Sequence, residues 1–299
     1  MKPPATIIAL AMAYLVAACS KPDQAATTLN LDCAQPKRVA IVGYTDHAME
    51  PFITRDGRYL LFNNLNDPAT NTDIHFAERV DDFTWRYRGK VMGINTPDLE
   101  GCPTMDQNGR MFFVSPRNYA KTLCTIYTGV FKEGRVSEVQ VVDSISNKKP
   151  GLANFDVEVS TDGKTLIFVD SRFKPGAGPQ TANLVIALWD GVQFTRAPDS
   201  GRILAKVNTP ALQYAPTISS NGLVLYFTRF DHNSGFTGPQ IYRATRVTVR
   251  APFGEPVHFS GLGDYVEGTA LSPNDRLLYF HRRDGEKFNL YAIPVDNPL

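Results

Sequence analysis

The sequence predicts an all-β protein, a single β-propeller of five four-stranded blades closed by the N-terminal strand, and three observations carry that expectation. A turn-and-strand outline occurs five times: TRDGRYLLF at 54–62, DQNGRMFF at 106–113, STDGKTLIF at 160–168, SSNGLVLYF at 219–227 and SPNDRLLYF at 272–280. Each copy sets an Asp/Asn-Gly-type turn ahead of an apolar strand that ends in an aromatic ring, which is a hairpin signal. Aligned on the second turn residue, Gly57, Gly109, Gly163, Gly222 and Asp275 stand 52, 54, 59 and 53 residues apart, a period that suits a propeller blade with generous loops. No long helical period occurs, and a lone hairpin cannot bury its apolar face, so the five units must stack on one another.

The first residues stand apart from this pattern. Lys2 precedes an apolar run over 5–18 that is too short to span a bilayer comfortably, and small residues lead to Cys19, so 1–18 reads as a signal peptide. Val16-Ala17-Ala18-Cys19 resembles a bacterial lipobox. The resemblance implies cleavage before Cys19 and acylation of that residue; ordinary secretion with cleavage near Ala18 is the alternative. Two or three acyl chains, at about 0.8 kcal/mol per buried methylene, would hold the protein on a membrane. Ser20, in place of an Asp after the lipidated cysteine, favours the outer membrane and the periplasmic side of the envelope. Residues 19–36 are polar and aperiodic, which reads as a tether, and 37–299 form the propeller domain.

Net charge is +1, from 31 basic and 30 acidic residues, and no basic stripe interleaved with aromatics is present, so nucleic acid is not an expected partner. With Cys19 assigned to lipid, Cys33, Cys102 and Cys124 remain. Cys102 and Cys124 share a repeat, and a bridge between them would contribute roughly 3 kcal/mol in the chain-entropy model. Pairing of Cys33 with either one, or no pairing, stays open. The sequence holds no CxxC, and His47, His75, His232, His258 and His281 show no HxxxH or HxH spacing, so no metal motif is read.

Taken in order, 37–43 is a β-branched strand bounded by Pro36 and Gly43 with no hairpin partner of its own. In the repeats, strand one leads into the turn (51–54 in the first) and strand two follows it (58–62). Strand three falls at 73–77, 125–127, 183–187, 240–242 and 289–292, and strand four at 85–91, 137–142, around 203–207 and at 256–259. The fifth repeat has no fourth strand, and residues 38–42 are expected to fill that place outside its third strand, closing the ring and removing an edge.

Two repeats carry a family likeness most clearly. Ser160-Thr161-Asp162-Gly163 with Phe168 and Asp170-Ser171-Arg172, and Ser272-Pro273-Asn274-Asp275 with Phe280, are similar to the WD40-like repeats of the TolB-type β-propeller. The likeness runs over 45–299 and implies the fold. That family has six such blades behind an α/β domain, and this chain has five repeats and no such domain, which sets it apart from the Tol-Pal component itself.

In such a blade the loop entering strand one and the loop between strands two and three meet at one mouth of the channel, the default site. Entering strand one, the repeats offer Glu50, Glu100, Asp156, Tyr214 with Gln213, and Glu267. After strand two come Arg117, Arg172, Arg229 and Arg282 beside Arg283, suited to clamping an anion or to tying a loop to the adjacent blade. Tyr44, Phe155, Tyr214, Phe230, Phe236 and Tyr265 fall near the same mouth. The reading is a monomeric, lipid-anchored binding or protein-interaction scaffold whose partner is an envelope protein or a glycan. The rival is a glycan-active hydrolase or lyase using Glu50, Asp156 and Glu267, because that chemistry needs two carboxyl groups with separated pKa values. The same carboxylates could hold Ca²⁺. No GxSxG elbow, P-loop or Rossmann fingerprint points to another activity or cofactor.

Overall fold

Strand two of each repeat is apolar at nearly every position, so it needs a place where both of its faces are covered. The computed structural model describes residues 28–29, 35–67, 71–174 and 178–297, and it provides that place as a ring of five antiparallel blades. From Tyr59–Asn63, Tyr59 and Leu61 pack with Met105, Met111 and Phe113 of the second blade, while Leu60 and Phe62 pack with Ala270, Tyr279 and Leu290 of the fifth. The alternation returns in the third blade, with Leu166 and Phe168 on one side and Ile167 and Val169 on the other. It returns again in the fourth, with Val224 and Tyr226 opposed to Leu225 and Phe227. Side chains alternate with period two along a strand, so each second strand feeds two seams. Burying one such side chain contributes roughly 1.5–3 kcal/mol, a gain available only when both neighbouring blades are present.

Blade 1 comprises Met49–Ile53, Tyr59–Asn63, Ile74–Arg79 and Thr84–Lys90, from channel to rim. Blade 2 comprises Gly101–Met105, Arg110–Val114, Ile126–Lys132 and Arg135–Val141. Blade 3 comprises Leu152–Val159, Thr165–Phe173, Pro179–Trp189 and Phe194–Arg196. Blade 4 comprises Leu212–Ile218, Val224–Phe230, Gln240–Thr245 and Val257–Phe259, with Thr28–Leu29 parallel to the last of these. Blade 5 comprises Val266–Leu271, Leu277–Asp284 and Lys287–Pro294. The signal peptide, Cys19, Cys33 and most of the tether lie outside the described residues.

The turn that announces each repeat is built from its own side chains. Ser160 Oγ donates to Asp162 Oδ1 at 2.6 Å, and the Gly163 N–H donates to the Ser160 carbonyl at 2.8 Å. Ser219, Asn221 and Gly222 repeat the arrangement, as do Ser272, Asn274 and Asp275. The fourth residue has positive φ, 71° at Gly163 and 56° at Asp275, which explains the preference for Gly there. Asp275 uses its side chain as well: Oδ2 accepts from the Ser220 N–H at 2.8 Å and from Ser220 Oγ at 2.6 Å, tying blade 5 to blade 4.

Closure occurs where expected, and the closing segment is divided between two blades. Lys37–Arg38 pairs antiparallel with Ala292 and Tyr291 as the fourth strand of blade 5, and the Val39 N–H donates to the Leu290 carbonyl at 2.8 Å. Ala40–Val42 then runs parallel to Thr84, Trp85 and Arg86 on the rim of blade 1. Val39, at the crossing, is buried in the seam between the two. The expected strand at 203–207 is not formed: the rim strand of blade 3 is Phe194–Arg196, and Ser200–Ile203 is a short helix. Ser200 Oγ accepts the Ile186 N–H at 2.9 Å, doing what a longer rim strand would have done, while Ile203 and Leu204 turn into the seam between blades 3 and 4.

Removing residues 37–43 should therefore lower the unfolding free energy by at least the roughly 2 kcal/mol that burial of the Val39 side chain contributes. Urea unfolding of a chain beginning at Tyr44 against one beginning at Gln35 checks this. Equal midpoints would mean that the ring closes without that segment.

Candidate functional site

The inner strand of every blade contains one residue too many for its partner. Register slips between Met49 and Phe52, Gly101 and Thr104, Phe155 and Glu158, Tyr214 and Thr217, and Glu267 and Ala270. In each bulge one residue takes positive φ: Glu50 at 48°, Cys102 at 53°, Asp156 at 46°, Ala215 at 47° and Gly268 at 62°. Bulges re-aim side chains, and these five positions form a ring around the channel axis. Glu50, Cys102 and Asp156 line both the cavity above this ring and the narrow void below it.

The upper cavity holds about 220 Å³. Glu50, Asp67, Asp156 and Glu267 line it, its walls are largely apolar with Phe155, Phe173, Tyr214, Tyr265 and Phe288, and among the described residues none of its lining is Lys or Arg. Asp156 Oδ1 accepts from Cys102 Sγ at 2.9 Å, and Oδ2 accepts the Ala215 N–H at 3.0 Å. Burial pushes its carboxyl up to about 6, against those two hydrogen bonds. Glu50 stands well above the ordinary carboxylate range, through burial first and then the neighbouring Asp156 and Glu267. Its side chain accepts a long hydrogen bond from Asn66 Nδ2, at 3.5 Å.

Glu267 is held by other means. Tyr214 Oη donates to Oε2 at 2.6 Å, and His281 Nε2 lies 3.2 Å from Oε1, off the line of a hydrogen bond. His281 Nδ1 accepts the Glu50 N–H at 3.2 Å, which leaves the neutral ring's proton on Nε2, facing Glu267. Burial, and then Glu267, drives the Tyr214 hydroxyl up. Below the ring, Arg55 meets Glu158 at 3.1 Å and donates to the carbonyls of Met105 and Val159, closing the far end of the channel.

Several residues singled out in the sequence sit elsewhere. Glu100 is two positions ahead of the bulge residue and fully buried, accepting from the Thr96 N–H at 2.6 Å, Thr96 Oγ1 at 2.8 Å and Ser115 Oγ at 2.7 Å. Gln213 occupies the same place in blade 4 and bonds Thr209 likewise. Both serve an Asn-Thr-Pro loop whose Asn, Asn95 or Asn208, bonds the backbone of Ile74 or Leu184. The position in blade 2 equivalent to Glu50 is Cys102.

The arginines also lie away from the cavity. Arg117, Arg229 and Arg282 stack on Tyr127, Tyr242 and Tyr291 of their own third strands, at 4.7, 4.5 and 3.8 Å from the ring centroids. Arg117 lies 3.8 Å from Glu100, Arg229 donates to the Val207 carbonyl and Arg282 bonds Asp284, while Arg172 is exposed at the end of its strand. These are blade-bracing positions. Of the aromatics, Phe155, Tyr214 and Tyr265 line the cavity, and Tyr44, Phe230 and Phe236 do not.

The bridge between Cys102 and Cys124 is not formed, and among the described residues both are free thiols. The bulge turns Cys102 into the channel, whereas Cys124 Sγ lies by the Thr122 carbonyl and Asp143, next to the strand-three edge of its blade. Cys102, Phe173 and Phe288 are among the cavity-lining residues that sequence reading missed. Proline would have exposed the first, since Glu50-Pro51, Cys102-Pro103 and Ala215-Pro216 align the bulges.

These features define a five-bladed propeller with an acidic, aromatic-walled mouth. The fold is shared with a solved glycoside hydrolase at 14% identity and a TM-score of 0.57, covering 89% of this chain and 93% of that one. A family 117 glycoside hydrolase from Zobellia galactanivorans gives 11% identity and 0.56 over the same shares. TolB from Acinetobacter baumannii gives 15% identity and 0.45, covering 84% of this chain and 55% of that one, so the chain spans about half the length of that TolB. At these identities the fold is what is shared with the two glycoside hydrolases. No protein-family model matches the chain, and no curated protein matches it.

Two outcomes follow from the site's chemistry. Folding raises the Asp156 pKa, so between 3.8 and about 6 the native state binds more protons than the unfolded chain and stability falls as pH rises. Asp156→Asn should flatten that fall and stabilise the protein above pH 6 by on the order of 1–3 kcal/mol, read by urea unfolding in chelating buffer across pH. A pH profile unchanged from the parent's would place the titration elsewhere. Arg229→Ala should lower the melting temperature by several degrees, about 2–4 °C per kcal/mol lost, while ligand binding at the mouth stays as in the parent.

Proposed function

We propose that this chain is a ligand-binding propeller of the bacterial cell envelope, anchored through Cys19, whose mouth takes the end of a neutral or amino-bearing glycan. The observation that carries the reading is the lining of the 220 Å³ cavity: four carboxyl groups, aromatic walls and, among the described residues, no guanidinium or ammonium group. Aromatic faces stack on the apolar faces of sugar rings, and carboxylates accept from hydroxyl or ammonium groups. Phosphates and uronic acids would meet uncompensated negative charge. Three solved propellers of similar shape are described as glycoside hydrolases, one as a family-43 and one as a family 117 enzyme, and this supports a glycan as the ligand.

Hydrolysis of that glycan is a second reading, favoured by one observation. Donor atoms of Glu50 and Asp156 lie within 4.8 Å of each other, short of the roughly 6.5–9.5 Å that an inverting mechanism needs for its water and so on the side of a retaining one. In that reading Glu50, held protonated by its surroundings, is the general acid, and Asp156 is the nucleophile.

Thermal unfolding against neutral, amino-bearing and acidic oligosaccharides tests the binding reading. A saturable rise with a neutral or amino-bearing glycan, none with acidic ones, and at least roughly 10-fold weaker binding in Phe155→Ala and Glu267→Gln are expected, a stacking loss of that size being worth about 1.4 kcal/mol. Stabilisation by acidic glycans alone would sink it. Reducing-end release from the glycan that binds, lost in Glu50→Gln and Asp156→Asn, separates enzyme from binder.

A further inference from the structure

Beneath the mouth, the ring of bulges narrows to a void of about 30 Å³, above the roughly 10–15 Å³ that a water molecule needs. Glu50, Cys102, Asp156 and Thr269 all line it. One oxygen of Glu50, Cys102 Sγ and one oxygen of Asp156 lie within 4.8 Å of one another, and the Cys102 Sγ to Asp156 Oδ1 separation is 2.9 Å. Thr269 is 7% exposed, and its Oγ1 has no hydrogen-bond partner. A buried hydroxyl without a partner, on a residue that lines the void, is an independent sign that something polar belongs there.

We propose that this channel waist is a binding site for one divalent cation of the zinc class, ligated by Glu50, Cys102 and Asp156, with Thr269 Oγ1 bonding the cation or its water. Two carboxylates and a thiolate are a borderline donor set that suits Zn²⁺ or Co²⁺. Calcium, expected from carboxylates alone, prefers six to eight oxygens and would gain nothing from the thiol. Tetrahedral zinc with Zn–S of about 2.3 Å and Zn–O of about 2.1 Å brings its donors to roughly 3.5 Å of one another. The Cys102–Asp156 pair, at 2.9 Å, would open by about 0.7 Å, and Glu50, whose donor atom lies within 4.8 Å of both and which is restrained by one long hydrogen bond, would close by about 1.3 Å at most. Cys102 enters as thiolate, and its proton leaves to solvent on binding.

Charge around the void runs the same way. Glu267 stands above, with His281 beside it, Glu158 in the lining is paired with Arg55, and among the described residues no Lys or Arg side chain lines the void to compensate Glu50 and Asp156. The cation would sit at the floor of the mouth, where a sugar hydroxyl could reach it. That consequence rests on the glycan reading; occupancy of the site does not.

The test uses the purified full-length chain, stripped with chelator and titrated with Co²⁺. One equivalent should bind with the near-ultraviolet charge-transfer band of a thiolate ligand, and Zn²⁺ should displace it. Cys102→Ser should remove the band and weaken Co²⁺ binding on the order of 100-fold or more, since even outer partners of a metal site cost 10–100-fold. Cys124→Ser should keep both. Asp156→Asn, whose amide oxygen can still accept the Ala215 N–H, is the second variant, and circular dichroism confirms that each variant is folded. No stoichiometric cobalt binding, a band that survives Cys102→Ser, or saturable binding of Ca²⁺ in preference to Zn²⁺ would overturn the proposal. Repeating the glycan melts on stripped and loaded protein separates the two ideas: cobalt without any glycan shift sinks the glycan reading alone, and a glycan shift without cobalt sinks the metal site alone.

Discussion

Everything in this fold depends on the double-sided burial of five second strands. A strand with Leu60, Leu61 and Phe62 all inaccessible to solvent cannot sit at the surface of a two-layer sandwich, because one face would remain wet. Arranged radially, each blade gives one face to each neighbour, and five apolar clusters fill five seams. A ring of this kind has no natural end, so the chain's beginning must supply what its last repeat lacks. The segment around Val39 does so by bonding to blade 5 on one side of that residue and to blade 1 on the other.

Radial packing then decides what the inner strands can do. They crowd around the axis, and a bulge in each turns one side chain inward at a backbone conformation that costs a non-glycine residue on the order of 1 kcal/mol or more. Gly268 adopts it without a side chain, and a Cβ there would meet His281 and the Glu50 carboxyl oxygen, so the axis has room for the acids only because blade 5 contributes none at that position. Carboxyl groups at such positions lose water without gaining a Lys or Arg neighbour, and the raised pKa values of Glu50 and Asp156 are the electrostatic signature of that.

The basic residues of the repeats are used differently. Arginines after the second strand lie over third-strand tyrosines and bond loop carbonyls or carboxylates, where a flat, delocalised cation covers apolar ring surface and satisfies polar atoms together. Mouth and frame are thereby separated in charge. Acids gather at the axis, guanidinium groups brace the blades, and the cavity is left with the chemistry of an acceptor of hydroxyl and cationic groups.

Sequence alone determined the repeat, its turn and its second strand, because those depend on neighbours within a dozen residues: Ser160, Asp162 and Gly163 close their own turn, and period-two burial is written in the apolar run itself. It also located Glu50, Asp156, Tyr214 and Glu267 near one mouth, since the strand entering each turn had to face the axis. Tertiary structure decided the rest. Glu100 was aligned with Glu50 although a shift of two residues separates their roles, and only the inter-strand register reveals that Cys102 holds the equivalent place. The rim strand at Phe194–Arg196 was invisible because the side chain of Ser200 replaces the backbone partner that 203–207 was expected to provide. Whether an arginine clamps a ligand or lies on a tyrosine depends on which ring stands one strand away, and that neighbour is set by the sheet rather than by the chain.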